Sequence, residues 1–310
     1  MEKIEISEFT PLLAGENAHQ QAYISKVENG IDYEILSREK ELSYLDFLNL
    51  TSAIKVSAEF FDVNSVVIVK EAKICAAALG ANAEDALFKV VDCDPISVYE
   101  STVSFSKEVT IDAAKQISAL KVKMVMAPGF SKEAFSYLLD TDVIIVKINT
   151  PLHEMLAFEA KDIKVTPFGI LVQEQNNSKL SKESFNVVTS TKPTQEQAED
   201  GIFAWKIAKH LTSRSAVIAK NLSTKAIVQG KTNGVIATEE AMDYACEASK
   251  EAVLVIDGVI DNKETVNAAI QGRIGLIIES GDGKNSSNIV KFADKYEIAI
   301  IHTKIRNNKY

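Results

Sequence analysis

Two adjacent charged residues, Lys70 and Glu71, stand at a place in the sequence where chemistry is often found. They directly follow residues 66–69 (VVIV), four β-branched residues that predict a strand buried on both faces. Open α/β sheets bind their ligands at the carboxyl ends of strands, so this pair is a candidate for ligand binding or catalysis. The alternative interpretation is a solvated strand end that is closed by a Lys–Glu ion pair.

The other residues that could do chemistry form no complete motif by themselves. His19 lies in a polar, glycine-bearing loop and suits a functional role, whereas His210 falls near a helix end, where a cation offsets the dipole. Arg214 precedes a predicted strand and is a candidate for a functional role, and the alternative is that it lies on a solvated face. Arg306 lies near the end of the last predicted strand. The turn at 280–284 (SGDGK) lacks Walker spacing, so an ordinary loop is favoured over a phosphate site.

Metal-ligand types are present but are not grouped. The four histidines are not paired at metal-ligand spacing, and the three cysteines form no CxxC pair. We therefore expect no bound metal and no disulfide scaffold, and a reducing cytoplasm is the expected compartment. The cysteines are Cys75, Cys93 and Cys246.

Composition excludes several classes of protein. The 310 residues are 46% hydrophobic and 25% charged, which is typical of a soluble globular protein. The net charge of −9 does not favour binding to nucleic acid or to an acidic membrane. No apolar run reaches the length of a membrane span, and the first residues lack the pattern of a signal peptide.

Alternating strands and helices must position the candidate residues in the first half of the chain. Apolar residues recur at three- and four-residue spacing from 43 to 61 and predict a helix with one buried face. Side chains that can cap helices precede three further apolar segments. The predicted caps are Asn82, Thr110 and Ser131, and the predicted strands are 22–27, 33–37, 65–69, 123–126 and 143–146.

A second series of strands and helices follows a polar segment at 150–168. The chain is thus predicted to be α/β, with a mostly parallel sheet and two units, 1–150 and 151–310. The two halves share the same alternation of strands and helices, but no repeat of individual residues is visible between them. The predicted elements are strands at 169–173, 185–188, 216–219, 253–256, 274–278 and 298–301, and helices capped by Thr194 and Thr238 or begun near Ser287.

Seven short stretches match the sequence blocks of one protein family. They are GENAHQ at 15–20, ELSY at 41–44, VIVK at 67–70, CDPIS at 93–97, APGFS at 127–131, LVQ at 171–173 and FAWKIAKH at 203–210. Any one block is weak, but the order is kept from about residue 12 to the C-terminus. Together they resemble the AICAR transformylase domain of the bifunctional purine-biosynthesis enzyme. The family's IMP cyclohydrolase half has no counterpart in this sequence, so a stand-alone member is expected.

The resemblance implies two cytidine-deaminase-like α/β units within one transformylase-type domain, and a homodimer with composite active sites. In the family, a formyl group passes from 10-formyltetrahydrofolate to the aromatic amine of AICAR. That amine is a poor nucleophile, so proton removal and oxyanion stabilisation must carry the reaction. By resemblance, the catalytic positions are Lys70, Glu71 and Asp257, and the substrate-binding positions are Gly15, Asn17, His19, Arg214 and Arg306.

The sequence departs from the family at many of these positions. Lys70 keeps the family lysine, but Glu71 replaces its histidine, and a carboxylate beside a dianionic nucleotide adds repulsion. Leu13 and Ala14 replace an Arg–Tyr pair that helps to hold the nucleotide, and leucine cannot clamp a phosphate. A second family arginine is lost at Gly234.

Further departures fall in the second half. Arg214 stands where the family has an asparagine, and Asp257 is kept while the aromatic residues after it are lost. That loss removes stacking surface for a base or a pterin. Of the family's RHF ending only Arg306 survives.

Three hypotheses remain open. The chain is a family member with an altered ligand or a different transfer reaction, a non-catalytic paralogue that acts through dimerisation or protein contacts, or a working AICAR transformylase that uses Glu71 in place of histidine. If it is an enzyme, it is a transferase of the formyltransferase type. The expected ligand is a small nucleotide-like or folate-like molecule, and neither nucleic acid nor membrane is expected as a partner.

Overall fold

The computed structural model describes residues 8–27, 30–37, 40–157 and 161–310. The chain divides into two units, Met1–His153 and Glu154–Tyr310. Within the described residues, no helix is long and apolar enough to cross a membrane.

The first unit places helices on a six-stranded mixed sheet in the order β5-β4-β6-β7-β8-β3. Strands β6, β7 and β8 are parallel, whereas β4 runs antiparallel to both of its neighbours. The elements are β1 (Thr10–Pro11), β2 (Tyr23–Ile24), β3 (Tyr33–Ile35), α1 (Tyr44–Ala58), β4 (Asn64–Lys70), β5 (Lys73–Gly80), α2 (Ala83–Cys93), β6 (Thr102–Phe105), α3 (Ile111–Ala119), β7 (Met124–Ala127), α4 (Lys132–Leu139) and β8 (Ile144–Ile148).

The second unit has a six-stranded sheet in the order β13-β12-β14-β15-β16-β11, together with a separate two-stranded ribbon. The elements are β9 (Asp162–Thr166), β10 (Gly169–Gln173), β11 (Asn186–Val187), α5 (Gln195–Ala208), β12 (Ala216–Lys220), β13 (Ser223–Val228), α6 (Gly234–Ala245), β14 (Val253–Ile256), α7 (Lys263–Gln271), β15 (Leu276–Glu279), α8 (Ser286–Asp294) and β16 (Ala299–His302). Short 3₁₀ helices cover Leu152–Ala157, Lys182–Ser184 and Cys246–Ser249.

The two units repeat one topology. After its first short strands, each unit has a helix and then an antiparallel hairpin, and it ends with three parallel strands that alternate with helices. Each hairpin carries a register shift at the same place, between Ile68 and Val69 and between Ile218 and Ala219. Each unit also has its own buried core beneath its helices, with Ile68 and Leu87 in the first and Ile218 and Leu254 in the second.

The repeat extends to the side-chain contacts of helices α1 and α5; the Thr194 cap of α5 confirms the sequence prediction. Capping boxes formed by Ser43 with Asp46 and by Thr194 with Gln197 start α1 and α5. The sixth residue of α1, Asn49, accepts a hydrogen bond from the Ala72 backbone N–H in the first hairpin turn (2.7 Å). The sixth residue of α5, Asp200, accepts from two backbone N–H groups in the second turn, at 2.9 and 2.6 Å.

Several predicted elements need correction. The sheets are mixed rather than mostly parallel, because β5 and β13 were not predicted and each forms a hairpin with the strand before it. Thr238 does not cap α6: Asn233 does, and the Thr238 hydroxyl donates to the Gly234 carbonyl inside the helix. The predicted segments 22–27 and 33–37 contribute to β2 and β3, which pair with β1 and β8 rather than with each other. The sequence also predicts a turn at Asn29 and Gly30 between these segments, and Asn29 lies outside the described residues.

Candidate functional site

Lys70 and Glu71 lie at a hairpin turn rather than at a crossover connection. Strand β4 is antiparallel to β6, and Val69 pairs with Thr102 at the start of β6. Lys70 is therefore on the edge where the parallel strands begin, not the edge where they end. Ligand binding at the carboxyl ends of parallel strands therefore gives no support for a site at this pair.

Lys70 has structural contacts that link the end of β4 to the segment before β6. Its Nζ donates to the Tyr99 carbonyl (2.8 Å) and lies 5.8 Å from the centre of the Tyr99 ring. In the second unit, Lys220 ends β12 in the same way and donates to the Lys250 carbonyl (2.7 Å). Glu71 follows with an exposed side chain and a φ of 50°.

The N-terminal candidates form one tight loop. Gly15 is buried, and its N–H donates to the Gln20 carbonyl (2.9 Å). A Cβ at this position would approach the Gln20 Cβ to 2.8 Å, so a larger residue would force the loop to shift. Asn17 donates its side-chain amide to Gln20 Oε1 (2.7 Å), and His19 is exposed.

Helix α1 anchors both groups of candidates in the first unit. The Tyr44 N–H donates to the Ala14 carbonyl (2.8 Å), which holds the loop, and Asn49 holds the hairpin turn. These two helix residues are five positions apart, or roughly 7.5 Å along the axis at 1.5 Å per residue. The structure thus places the loop and the hairpin turn along the same helix.

Asp257 in the second unit is a different kind of residue. It follows β14 directly, on the edge where β14, β15 and β16 end. Its side chain is 2% exposed, and neither carboxylate oxygen has a hydrogen-bond partner in the described structure. Buried carboxylates are normally paired or hydrogen-bonded, so these two acceptors are suited to N–H or O–H groups of a ligand.

The equivalent position of the first unit is fully satisfied. Ser106 follows β6 as Asp257 follows β14, and its hydroxyl donates to the Val63 carbonyl (2.6 Å) and accepts from the Ser65 N–H (2.8 Å). In the second unit, the register that pairs Ala216 with Ile256 places Ser215 opposite Asp257. The Ser215 and Ser65 hydroxyls both lack partners, so it is the carboxylate that distinguishes the second unit.

Arg214 lies beside Asp257 without bonding to its carboxylate. Its Nη1 donates to Asn308 Oδ1 (3.2 Å), and a Cβ at Gly258 would approach this nitrogen to 2.5 Å. The Asn307 N–H donates to the Asp257 carbonyl (2.9 Å), which fixes the C-terminal segment next to both residues. The guanidinium therefore keeps donors that a neighbouring anion could accept.

Arg306 is already engaged by a carboxylate. Its guanidinium pairs with Asp282 at 2.8 Å, and this hydrogen bond holds the pKa of the Asp282 carboxyl below its ordinary value. The same contact raises the pKa of Arg306. The negative charge of Asp282, which lies in the glycine-rich turn, is therefore balanced by Arg306. Arg306 is consequently less available than Arg214 to bind a ligand.

A buried pair that the sequence reasoning missed lies on the same edge. His302 Nε2 is 3.2 Å from Glu279 Oε1, and Glu279 Oε2 accepts from the Ile260 N–H (2.7 Å). The ring of His302 packs against Gly281, whose φ is 75°. Only the parallel pairing of β15 with β16 brings these side chains together, and their spacing of 23 positions gives no sequence signal.

The predicted site residues thus fall into two sets. Asp257 and Arg214 lie on the edge of the second unit where the parallel strands end, and Arg306 belongs to the C-terminal segment at that edge. Lys70 and Glu71, with the loop of Gly15, Asn17 and His19, belong to the first unit. No cluster of histidine, cysteine and carboxylate side chains suited to a metal ion is found within the described ranges.

Comparisons with known proteins identify relatives over nearly the whole chain. A family model described as AICARFT/IMPCHase bienzyme matches residues 2–244. Proteins described as bifunctional purine biosynthesis protein PurH from Acetivibrio thermocellus, Caldicellulosiruptor saccharolyticus and Persephonella marina are each 34% identical to it. Each match covers 96% of this chain and 58% of the relative, so the chain spans little more than half the length of these relatives.

One solved structure is similar only weakly. It is described as a structural-genomics protein, ybgI, of unknown function, and it is 9% identical with a TM-score of 0.14. The match covers 64% of this chain and 70% of that one. A TM-score this low carries no argument about fold or function.

Proposed function

The chain belongs to the AICARFT/IMPCHase bienzyme family, a family of purine biosynthesis, and on that basis we propose that it binds a nucleotide-like or folate-like small molecule with an altered specificity or reaction. The observation that carries this proposal is the buried Asp257 carboxylate, both of whose oxygens lack a hydrogen-bond partner. Its counterpart in the first unit, Ser106, has no such free acceptors.

The chemistry of this edge indicates what the ligand must offer. Two adjacent carboxylate oxygens accept a pair of N–H groups, such as those on an amino-substituted heterocycle or a carboxamide. Arg214, with one hydrogen bond to Asn308, can donate to an anionic or carbonyl group nearby. The proposed ligand therefore combines N–H donors with an acceptor or anionic group.

The family reaction fits these residues poorly. Gly258, Val259 and Ile260 follow Asp257 and supply no aromatic ring on which a pterin could stack. 10-Formyltetrahydrofolate is therefore a doubtful cosubstrate, and formyl transfer to AICAR is not proposed as an efficient reaction. If the chain catalyses a transfer, the family favours a transferase of the formyltransferase type.

The catalytic assignments in the first unit stay predictions. A working transformylase with Glu71 in place of histidine requires this exposed carboxylate to reach a bound substrate. A turnover assay with AICAR and 10-formyltetrahydrofolate tests this alternative directly. Turnover that is lost in Glu71→Gln would establish it.

The finer architecture also belongs to the proposal. The shared order of a hairpin followed by three parallel strands supports two cytidine-deaminase-like units, with the boundary expected near residues 150 and 151. A homodimer, a cytoplasmic location and the absence of nucleic-acid or membrane partners are retained as expectations from family and composition.

A thermal-shift screen tests ligand binding. AICAR, IMP, folates and other nucleotides are added separately to the purified chain, and a specific ligand at 100 times its Kd raises stability by about 2.7 kcal/mol. We expect at least one of them to raise Tm and Asp257→Asn to remove that rise. Asp112→Asn, an exposed aspartate that pairs with Lys115, is the matched control and should respond as wild type. No shift with any compound, or an unchanged shift in Asp257→Asn, contradicts the proposal.

A further inference from the structure

A buried carboxylate at the end of β15 holds the backbone that follows Asp257. Glu279 is 1% exposed, and its Oε2 accepts a hydrogen bond from the Ile260 N–H at 2.7 Å. The next residue, Ser280, donates to the Gly258 carbonyl through both its N–H (3.0 Å) and its hydroxyl (3.1 Å). The end of β15 therefore fixes the segment 257–260 by hydrogen bonds at both Gly258 and Ile260.

The same segment adjoins the groups of the proposed ligand site. The Asp257 carbonyl accepts from the Asn307 N–H at 2.9 Å. The Gly258 backbone lies against the guanidinium of Arg214, because a Cβ at Gly258 would approach the Arg214 Nη1 to 2.5 Å. A displacement of Gly258 consequently changes the space beside both the carboxylate and the guanidinium.

His302 restricts how the Glu279 carboxylate can turn. The parallel pairing of β15 with β16 places the two residues side by side, and His302 Nε2 is 3.2 Å from Glu279 Oε1. The ring of His302 is itself buried, packs against Gly281 and lies 3.4 Å from the Ser286 hydroxyl. In the part of the chain that the structure describes, Oε1 has no aligned hydrogen bond, so the bond from Oε2 to the Ile260 N–H is the one that links this side chain to the segment.

We propose that Glu279 is a positioning residue for the ligand site of Asp257 and Arg214. In the register of β14 with β15, Glu279 is level with Ile256, one residue before Asp257, so it acts through the backbone rather than on the ligand. The property that matters is the reach of its side chain to the Ile260 N–H. This inference rests on the proposed function, because that function places the ligand at Asp257.

Two conservative substitutions separate the reach of Glu279 from its charge. Glu279→Asp keeps the charge but is one carbon shorter, so it cannot contact the Ile260 N–H and the His302 ring together. Glu279→Gln keeps the length and an acceptor for Ile260, and its amide N–H can donate to the unprotonated nitrogen of a neutral His302 ring. Positioning by reach predicts a defect in Glu279→Asp and little change in Glu279→Gln, whereas a role for the charge alone predicts the reverse.

Hydrogen exchange measures the segment without a ligand. We expect the Ile260 amide to exchange about tenfold faster than in wild type in Glu279→Asp, and within about threefold of wild type in Glu279→Gln. Asp200→Asn is the stability control, because Asp200 is a buried carboxylate that bonds the hairpin turn on the opposite edge, and it should leave the exchange of Ile260 within about threefold. Wild-type exchange in Glu279→Asp, or equally fast exchange in Glu279→Gln or Asp200→Asn, overturns the proposal.

Ligand binding is measured in the same variants with AICAR, IMP and the folates of the thermal-shift screen. For a compound that raises the Tm of wild type, calorimetry should give a Kd about tenfold higher in Glu279→Asp and within about threefold in Glu279→Gln and Asp200→Asn. An equal Kd in wild type and Glu279→Asp overturns the positioning role even if the exchange rates differ. If no compound shifts wild type, the proposed function fails, whereas the exchange rates still decide whether Glu279 holds the segment.

Discussion

At the scale of single residues, the internal repeat separates structural from chemical roles. Lys70 and Lys220 end equivalent strands, and each donates to a backbone carbonyl. A role that recurs in both units is explained by the hairpin itself. Asp257 has no such explanation, because its counterpart is a fully bonded serine.

Lys70→Ala should therefore behave like Lys220→Ala. Each variant loses one hydrogen bond from a partly exposed cation, so we expect a loss of about 1 kcal/mol or less in the free energy of unfolding. Urea denaturation measures this loss, and the thermal-shift response to any identified ligand should be unchanged in both. If the thermal shift with a ligand disappears in Lys70→Ala but persists in Lys220→Ala, Lys70 belongs to the ligand site.

Asp200 gives a prediction about pH. Burial raises the pKa of this carboxyl, while hydrogen bonds from the Leu222 and Asn221 N–H groups act in the opposite direction. A carboxyl whose folded pKa lies above its unfolded value of 3.8 contributes stability below that value, and the contribution is lost as pH rises through the folded pKa. The difference in unfolding free energy between wild type and Asp200→Asn should therefore shrink as pH rises above about 3.8.

At neutral pH, Asp200→Asn should still be destabilising. An asparagine offers one acceptor where the carboxylate accepts two backbone N–H groups, so the loss is about 1–3 kcal/mol. Asp112→Asn is the matched control, because Asp112 is an exposed helix aspartate that pairs with Lys115, and it should change stability by less than about 0.5 kcal/mol. Chemical denaturation across pH 4–8 measures both effects, and equal losses in the two variants would argue against the role of Asp200.

At the scale of elements, the two hairpin turns carry backbone strain. Ala72 has a φ of 61° and Leu222 a φ of 54°, in the left-handed region that costs a side chain about 1–2 kcal/mol. Ala72→Gly relieves that strain but adds about 0.5–1 kcal/mol of unfolded-state entropy, so a net gain of about 0.5 kcal/mol is expected. Its N–H can still donate to Asn49.

Ala77→Gly is the control for this turn. Ala77 lies inside β5 and is buried, so glycine there should only destabilise. Guanidinium denaturation of the two variants should move the midpoint in opposite directions. If Ala72→Gly is also less stable than wild type, the strain at the turn is smaller than its backbone angle indicates.

Helix starts were the elements most readily predicted from the sequence. Asn82, Thr110, Ser131 and Thr194 cap helices as their side-chain chemistry indicates, because an N-cap is a local interaction. Strand β5 was missed because its alanine run at 76–78 has a weak β signal. Without β5, the antiparallel setting of β4 could not be predicted, and Lys70 was assigned to the wrong kind of edge.

The candidate site was likewise predictable only where it depends on local sequence. The resemblance to the family indicated Asp257 and Arg214, but their proximity depends on the pairing of β12 with β14. Sequence offered no signal for the pair of Glu279 and His302, which adjacent parallel strands bring together. Residues that meet through long-range strand pairing are visible only once the register is known.

At the scale of the whole molecule, two units of one topology carry different chemistry. The edge where the parallel strands end is occupied by Ser106 in the first unit and by Asp257 in the second, with Arg214 close by. Fold does not determine function, so the family assignment concerns the architecture, whereas under the proposed function these side chains select the ligand. The net charge of −9 acts over the whole surface and disfavours any multiply charged anion.

AICAR, a nucleotide with a dianionic phosphate, should accordingly bind this chain worse than millimolar. The family arginines matched by Leu13 and Gly234 are absent, and each lost charged hydrogen bond costs roughly 1.5–3 kcal/mol, or one to two powers of ten in affinity. Isothermal titration calorimetry with AICAR measures the Kd. Leu13→Arg restores one cation and should strengthen binding about tenfold or more, whereas Leu13→Gln, of similar length but uncharged, should not. Micromolar binding of AICAR by the unmodified chain would contradict the prediction and favour a working transformylase.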